Sequence, residues 1–187
     1  MGDMEKYSIL LKNSKLFQGI SEDEVTSMLA CLSAVRRSYA KGEYVFRRGE
    51  RIDSVAVLLE GSVHIRKEDY WGNLSILNEI GEGESFGEVY ACLGSEEILN
   101  NAVAVKQSEV LLLDVKRILT VCPSACQFHS RLIRNLLSVL ALKNKMLTQK
   151  LEHMSKRTTR EKLLSYLSEQ SQRAGSPVFD IPFNRQQ

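Results

Sequence analysis

Gly87 and Glu88 stand together in the stretch GEGESFGEVYACLGSEEILNNA, residues 81 to 102, between two apolar runs. A glycine there lets the backbone turn with positive φ and aim N–H groups at an anion, and the adjacent carboxylate can accept from sugar hydroxyls. An anion in a partly buried turn also needs a counter-charge. Later in the same stretch, the chain has Ile98, Leu99, Asn100 and Asn101, none of them a cation. The asparagines can donate hydrogen bonds but cannot neutralise. Arg66, Lys67 and Lys106 are the cations that a neighbouring strand could offer instead. The plain alternative for Gly87-Glu88 is a tight turn with an exposed acid.

Other chemistries find less support. Cys122, Cys126 and His129 fall at i, i+4 and i+7, one face of a continuous helix, and could ligate a metal or sense thiol oxidation. Pro123 interrupts that span and no fourth ligand is evident, so no metal is assigned; buried small residues beside a polar neighbour are the plainer reading. The chain has no GxxxxGK[ST] loop and no Ser-His-Asp arrangement, and His64 is the one histidine in its β-rich part. A metal-dependent barrel enzyme would need several. No catalytic residue is assigned, and the chain is not expected to be an enzyme.

The elements that must hold Gly87-Glu88 are short strands. From Lys41 to Asp114, runs such as SVAVLL, SVHI, LSILNEI, AVAV and EVLLLD alternate with Gly, Asp, Asn and Glu every eight to twelve residues. That pattern predicts a β-sandwich or jelly-roll barrel. Tyr70-Trp71-Gly72-Asn73 reads as a hairpin tip with Trp71 exposed. Upstream, Ser21-x-x-Glu24 is a capping box opening a helix.

Beyond Pro123 a helix of about thirty residues is predicted from near Ser124. Ile133, Leu137, Leu140, Asn144, Leu147, Leu151 and Met154 form a 4-3-4-3-4-3 ladder on it, with Asn144 as the polar position that fixes register in a parallel two-stranded coil. These seven residues are the expected homodimer interface. A second stripe, Phe128, Leu132, Leu136 and Val139, is expected to pack on the chain's own β domain; a monomeric core helix with two apolar sides is the alternative. The helix should break near Ser155 to Thr158, where Thr158-x-x-Glu161 caps a shorter helix ending at Gly175. VFDIPF is expected as an edge strand, and Asn184 to Gln187 as the start of another helix.

Charge divides along the chain. Residues 1 to 130 carry 14 Lys+Arg and 19 Asp+Glu, a balance of −5, while residues 131 to 187 carry 11 and 4, a balance of +7. The basic end is where a nucleic acid would be met, or simply a solvated helix face. No stretch approaches the ~20 apolar residues of a membrane span, and the N-terminus lacks the apolar core of a signal peptide. Four cysteines without such a signal read as reduced thiols. A cytoplasmic protein with no membrane association is expected.

The order of these elements, with KGEYVFRRGERIDSVAVLLEGSVHI before the cassette and AVAVKQSEVLLLD after it, resembles the effector domain of CRP/FNR-family transcription regulators over residues 8 to 187. The resemblance implies an α+β fold: a double-stranded β-helix, or jelly-roll, cyclic-nucleotide-binding-like barrel, then a long dimerisation helix and the start of a winged helix. Its boundaries here are 1–123, 124–155 and 156–187. It implies that Gly87 caps a short helix above a cyclic phosphate and that Glu88 binds a ribose 2′-hydroxyl. The ligand surface would comprise Phe86, Gly87, Glu88, Val89, Leu99, Asn100, Asn101 and Ala102, with Lys145 and Met146 on the long helix at the base-reading positions. The arginine that the resemblance implies about eleven residues beyond Gly87, among Ile98, Leu99, Asn100 and Asn101, is missing, and Lys145 and Met146 replace small hydroxyl residues.

Losing one partner of a buried pair costs roughly 3 to 5 kcal/mol. At ~1.4 kcal/mol per decade, cyclic nucleotides should bind two to three powers of ten more weakly. A small-molecule effector other than a cyclic nucleotide is therefore expected, with no cofactor assigned. DNA would be reached only through a C-terminal helix-turn-helix whose recognition helix is not within these residues. A stand-alone sensor or dimerisation module that binds another protein is the alternative.

Overall fold

The computed structural model describes residues 2–120 and 127–181. They form two compact units, Met1–Leu140 and Ala141–Gln187. The first opens with α1 (Gly2–Asn13), a short 3-10 turn (Lys15–Phe17) and α2 (Glu22–Cys31). Ser21 starts α2 with the expected capping box: its side chain accepts from the Glu24 amide, and the Glu24 carboxylate accepts from the Ser21 amide.

Eight strands follow: β1 (Val35–Tyr39), β2 (Tyr44–Phe46), β3 (Ser54–Glu60), β4 (Val63–Glu68), β5 (Leu74–Ile80), β6 (Ser85–Phe86), β7 (Asn101–Ala104) and β8 (Ser108–Asp114). They make two four-stranded sheets, ordered β1-β8-β3-β6 and β2-β7-β4-β5, with every pairing antiparallel. The expected jelly-roll is present as a sandwich. The expected barrel closure is not: among the described residues each sheet keeps two edges, β1 and β6 in one and β2 and β5 in the other.

β3 explains why this part of the sequence is continuously apolar. Val55 to Leu59 are all buried, and alternate residues enter different cores. Val55, Val57 and Leu59 join Leu111 and Leu113 of β8 in a cluster with Leu11, Phe17, Met28 and Leu32 of the N-terminal helices. Ala56 and Leu58 join Val63, Ile80, Phe86, Ile98 and Ala102 between the sheets. The β4–β5 hairpin turns where expected, with Gly72 at φ +81 and Trp71 82% exposed.

A short helix, α4 (Val115–Leu119), capped by Asp114, follows β8. The long helix α5 runs Gln127–Met154; its expected start near Ser124 lies outside the described residues. Leu132, Leu136 and Val139 are buried, the first two in the cluster with the N-terminal helices, as the second apolar stripe predicts. Arg131 Nη1 donates to the Gly19 carbonyl, and Asn135 Nδ2 donates to those of Leu16 and Gln18 at 3.0 and 2.9 Å.

In the second unit, α5 ends at Met154 and α6 (Thr159–Ala174) begins after the expected break, with Thr158 and Glu161 forming the capping box and Gly175 closing the helix at φ +62. His153 is tied to α6 through Ser165 and Glu169. The edge strand expected over VFDIPF is absent from its described residues: 178–181 have no strand structure, and among the described residues no strand pairs with them. Pro182 and the helix start expected from Asn184 to Gln187 lie outside the described residues.

Candidate ligand site

The cassette begins where β6 leaves the sandwich. Phe86 is 2% exposed and meets Phe46 of β2 edge-to-face, with ring centroids 5.6 Å apart. Gly87 then turns at φ +82 and caps a six-residue helix, α3 (Glu88–Leu93). A Cβ at Gly87 would stand 2.9 Å from Phe46 Cε2 and 3.1 Å from Ile52 Cδ1, so glycine is required by both conformation and space.

Glu88 is not the exposed loop acid of the plain reading. It is 2% exposed, and its Oε1 accepts from Ser85 Oγ at 2.5 Å. A carboxylate is not buried without such partners, and Ser85, itself 6% exposed, is placed by β6 to provide one. One turn along α3, burial and then the Glu88 charge push the Cys92 thiol above its ordinary pKa.

On the return side, Gly94 ends α3 at φ +67 and the chain runs to β7. Ile98 is held by two backbone bonds, from its own N–H to Glu50 O and from Gly49 N–H to its carbonyl, each 2.8 Å. Its side chain, 4% exposed, lies in the cluster between the sheets. Ile98, the first of the four residues in the stretch 98–101, is therefore packed hydrocarbon.

The predicted residues separate by environment. Ala102 is buried with Ile98, Asn100 and Asn101 are half-buried, and Val89 and Leu99 are 50% and 64% exposed. Asn101 Oδ1 accepts from the Arg48 amide at 2.8 Å, so this asparagine braces the turn after β2. Its register partner on β4 is Arg66, one of the three cations considered; Lys67 and Lys106 are exposed. Lys145 and Met146 are exposed positions of α5 in the second unit. His129 is 7% exposed and its Nδ1 finds no hydrogen-bond partner among the described residues, while Cys122 and Cys126 lie outside them.

Sequence reasoning missed Phe46, Ser85 and Tyr90. Tyr90 of α3 packs against the inter-sheet cluster, and its hydroxyl accepts from the Leu99 amide at 3.4 Å. The available signal was an aromatic residue two positions past the glycine-carboxylate pair.

The two-sheet sandwich with Gly87 and a buried Glu88 at the head of a short helix defines a cyclic nucleotide-binding domain, and residues 36–124 match that family. Those residues, just under half of the chain, are a cyclic nucleotide-binding domain, and the chain has relatives of the CRP/FNR type. It is 32% identical over 103 residues to the cyclic AMP receptor protein of Thermus thermophilus, covering 55% of this chain and 46% of that protein. The crystal structure of the Thermus thermophilus catabolite activator protein aligns with a TM-score of 0.64 and 27% identity, over 76% of this chain and 63% of that one. The sensor domain of the transcriptional regulator DNR from Pseudomonas aeruginosa has the same fold, with a TM-score of 0.59 and 24% identity over 85% and 98% of the two chains. The chain spans between 14% and 46% of the lengths of the curated relatives it matches. These relatives match through regulatory domains rather than enzymatic ones. No helix among the described residues is long and apolar enough to cross a membrane.

Proposed function

We propose that this chain is the effector-sensing part of a cytoplasmic transcription regulator of the CRP/FNR type, and that its effector is not a cyclic nucleotide. The carrying observation is a buried Glu88 together with a stretch, Ile98 to Asn101, that holds no cation and whose first residue is packed in hydrocarbon. A phosphodiester would bring a charge there that Ile98, Leu99, Asn100 and Asn101 cannot neutralise. An uncharged compound with an apolar body and one or two hydrogen-bonding groups suits the same surface.

The regulator acts as a parallel homodimer through α5. Leu137, Leu147, Leu151 and Met154 are 60 to 68% exposed on the predicted ladder, an unusual amount of aliphatic surface for a helix working alone. Ligand binding at α3 would shift the α5 pair, and with it the DNA-binding domain that begins with α6. The basic balance of residues 131 to 187 supports contact with DNA.

Thermal unfolding with cAMP, cGMP and a panel of uncharged aromatic metabolites tests this reading. A ligand at ~100 times its dissociation constant adds about 2.7 kcal/mol of stability. The expected result is no nucleotide shift and a response to an uncharged compound; micromolar affinity for cAMP or cGMP would refute the exclusion of phosphodiesters.

A further inference from the structure

One side chain of α3 reaches across to the chain entering β7. Tyr90 is the third residue of the helix, half-buried against the inter-sheet cluster that holds Phe46, Phe86 and Ile98. Its hydroxyl oxygen accepts from the Leu99 N–H at 3.4 Å, and its own carbonyl accepts the bond from Gly94 that terminates the helix. The hydroxyl end of the ring is therefore tied to the chain entering β7, and the backbone of Tyr90 to the end of the helix. Next to Leu99, Ile98 is held by Gly49 and Glu50 with its side chain turned into the same cluster.

Two consequences follow for any ligand. Tyr90 packs with Ile98 on one apolar cluster, a medium that penalises an unpaired charge. The Leu99 amide, a donor that an anionic oxygen would otherwise take, already has an uncharged acceptor supplied by the protein.

We propose that Tyr90 determines the charge class of the site's ligand: it fills the span between α3 and Leu99 and substitutes for an anionic oxygen there, so that uncharged compounds enter and phosphodiesters do not. This rests on reading the α3–β7 surface as the effector site. Tyr90 thus adds a steric barrier to the missing cation, and restoring the cation alone does not restore nucleotide binding.

The test is a double-mutant cycle on the whole chain, with cAMP and cGMP titrated calorimetrically into wild type, Tyr90→Ala, Ile98→Arg and the double variant. Each single variant should gain less than about tenfold in affinity, and the double at least about 100-fold over wild type. Asn100→Arg places the cation on a half-buried neighbour and replaces Ile98→Arg if circular dichroism shows that variant unfolded. If the arginine variant alone binds as tightly as the double, the site stands and the role of Tyr90 is overturned. If no folded variant binds nucleotide, or Glu88→Gln leaves the double variant's affinity unchanged, the reading of the site fails and the proposal with it.

Discussion

His153 Nε2 and Glu169 Oε2 lie 2.5 Å apart, joining the last turn of α5 to the second half of α6. His153 Nδ1 engages Ser165 Oγ at 2.8 Å, and Arg173 reaches the other oxygen of Glu169 as well as Gln149 at 2.9 Å. Both partners of the central pair are more than four-fifths buried, with 17% and 18% of their side chains exposed. In a unit whose α6 has no buried residue, this polar network, together with Tyr166 edge-on to the His153 ring, ties the two helices at the elbow.

Glu169→Gln or His153→Ala should therefore loosen α6 without unfolding the sandwich, at a cost of about 1 to 3 kcal/mol. Hydrogen exchange should quicken in α6 amides and stay unchanged in β3 and β8. Equal exchange throughout would show that the network does not set the elbow.

Leu147→Glu should convert a dimer into a 21.2 kDa monomer. By symmetry the charge appears twice in the interface, removing two apolar contacts of about 2 kcal/mol each. Leu142→Glu, on an exposed residue of the same helix that is off the ladder, should leave the assembly intact. Light scattering after size exclusion distinguishes the two.

Gly87→Ala should destabilise the chain by about 1 to 3 kcal/mol, since the new Cβ meets Phe46 and Ile52 at a left-handed φ. Gly72→Ala is strained at a similar φ of +81 but meets nothing within 4 Å, so it should cost less. Urea midpoints of the two variants give the comparison.

Stability should fall as pH rises through the alkaline range. Burial raises the Cys92 thiol, with Glu88 adding to the rise, and burial raises the Tyr39 phenol against the opposing pull of Arg37. A group whose pKa is raised on folding stabilises the protein fully below its unfolded pKa, about 8.5 for a thiol and 10 for a phenol, and loses that contribution as pH rises through the folded value. Melting temperatures between pH 7 and 11 should decline accordingly. Iodoacetamide should modify exposed Cys31 well before Cys92 at pH 8.

Local chemistry made much of this fold legible. The capping boxes at Ser21 and Thr158, the Trp71 hairpin and the buried stripe of α5 stand where residue type and spacing placed them, because each depends on neighbours within a turn or two. β1 was not legible: Val-Arg-Arg-Ser-Tyr has a strand's backbone on a mostly exposed edge, held by its ladder to β8. Nor did spacing tell which way Ile98 points, since the backbone bonds to Gly49 and Glu50 that set it come from a turn nearly fifty residues earlier. The burial of Glu88 likewise depends on tertiary cover that a glycine-carboxylate pair does not announce.

The larger of the two cores has a practical meaning for anyone trimming this protein. The family match begins at residue 36 and ends at 124, yet Leu11, Leu16, Phe17, Ile20, Val25 and Leu32 lie before it and Leu132 and Leu136 after it, all in one cluster with β3 and β8. A fragment cut at those limits would leave Val55, Val57, Leu111 and Leu113 facing water along a whole sheet. The segment that is recognisable by descent is smaller than the segment that can stand alone, and expression boundaries should follow the second.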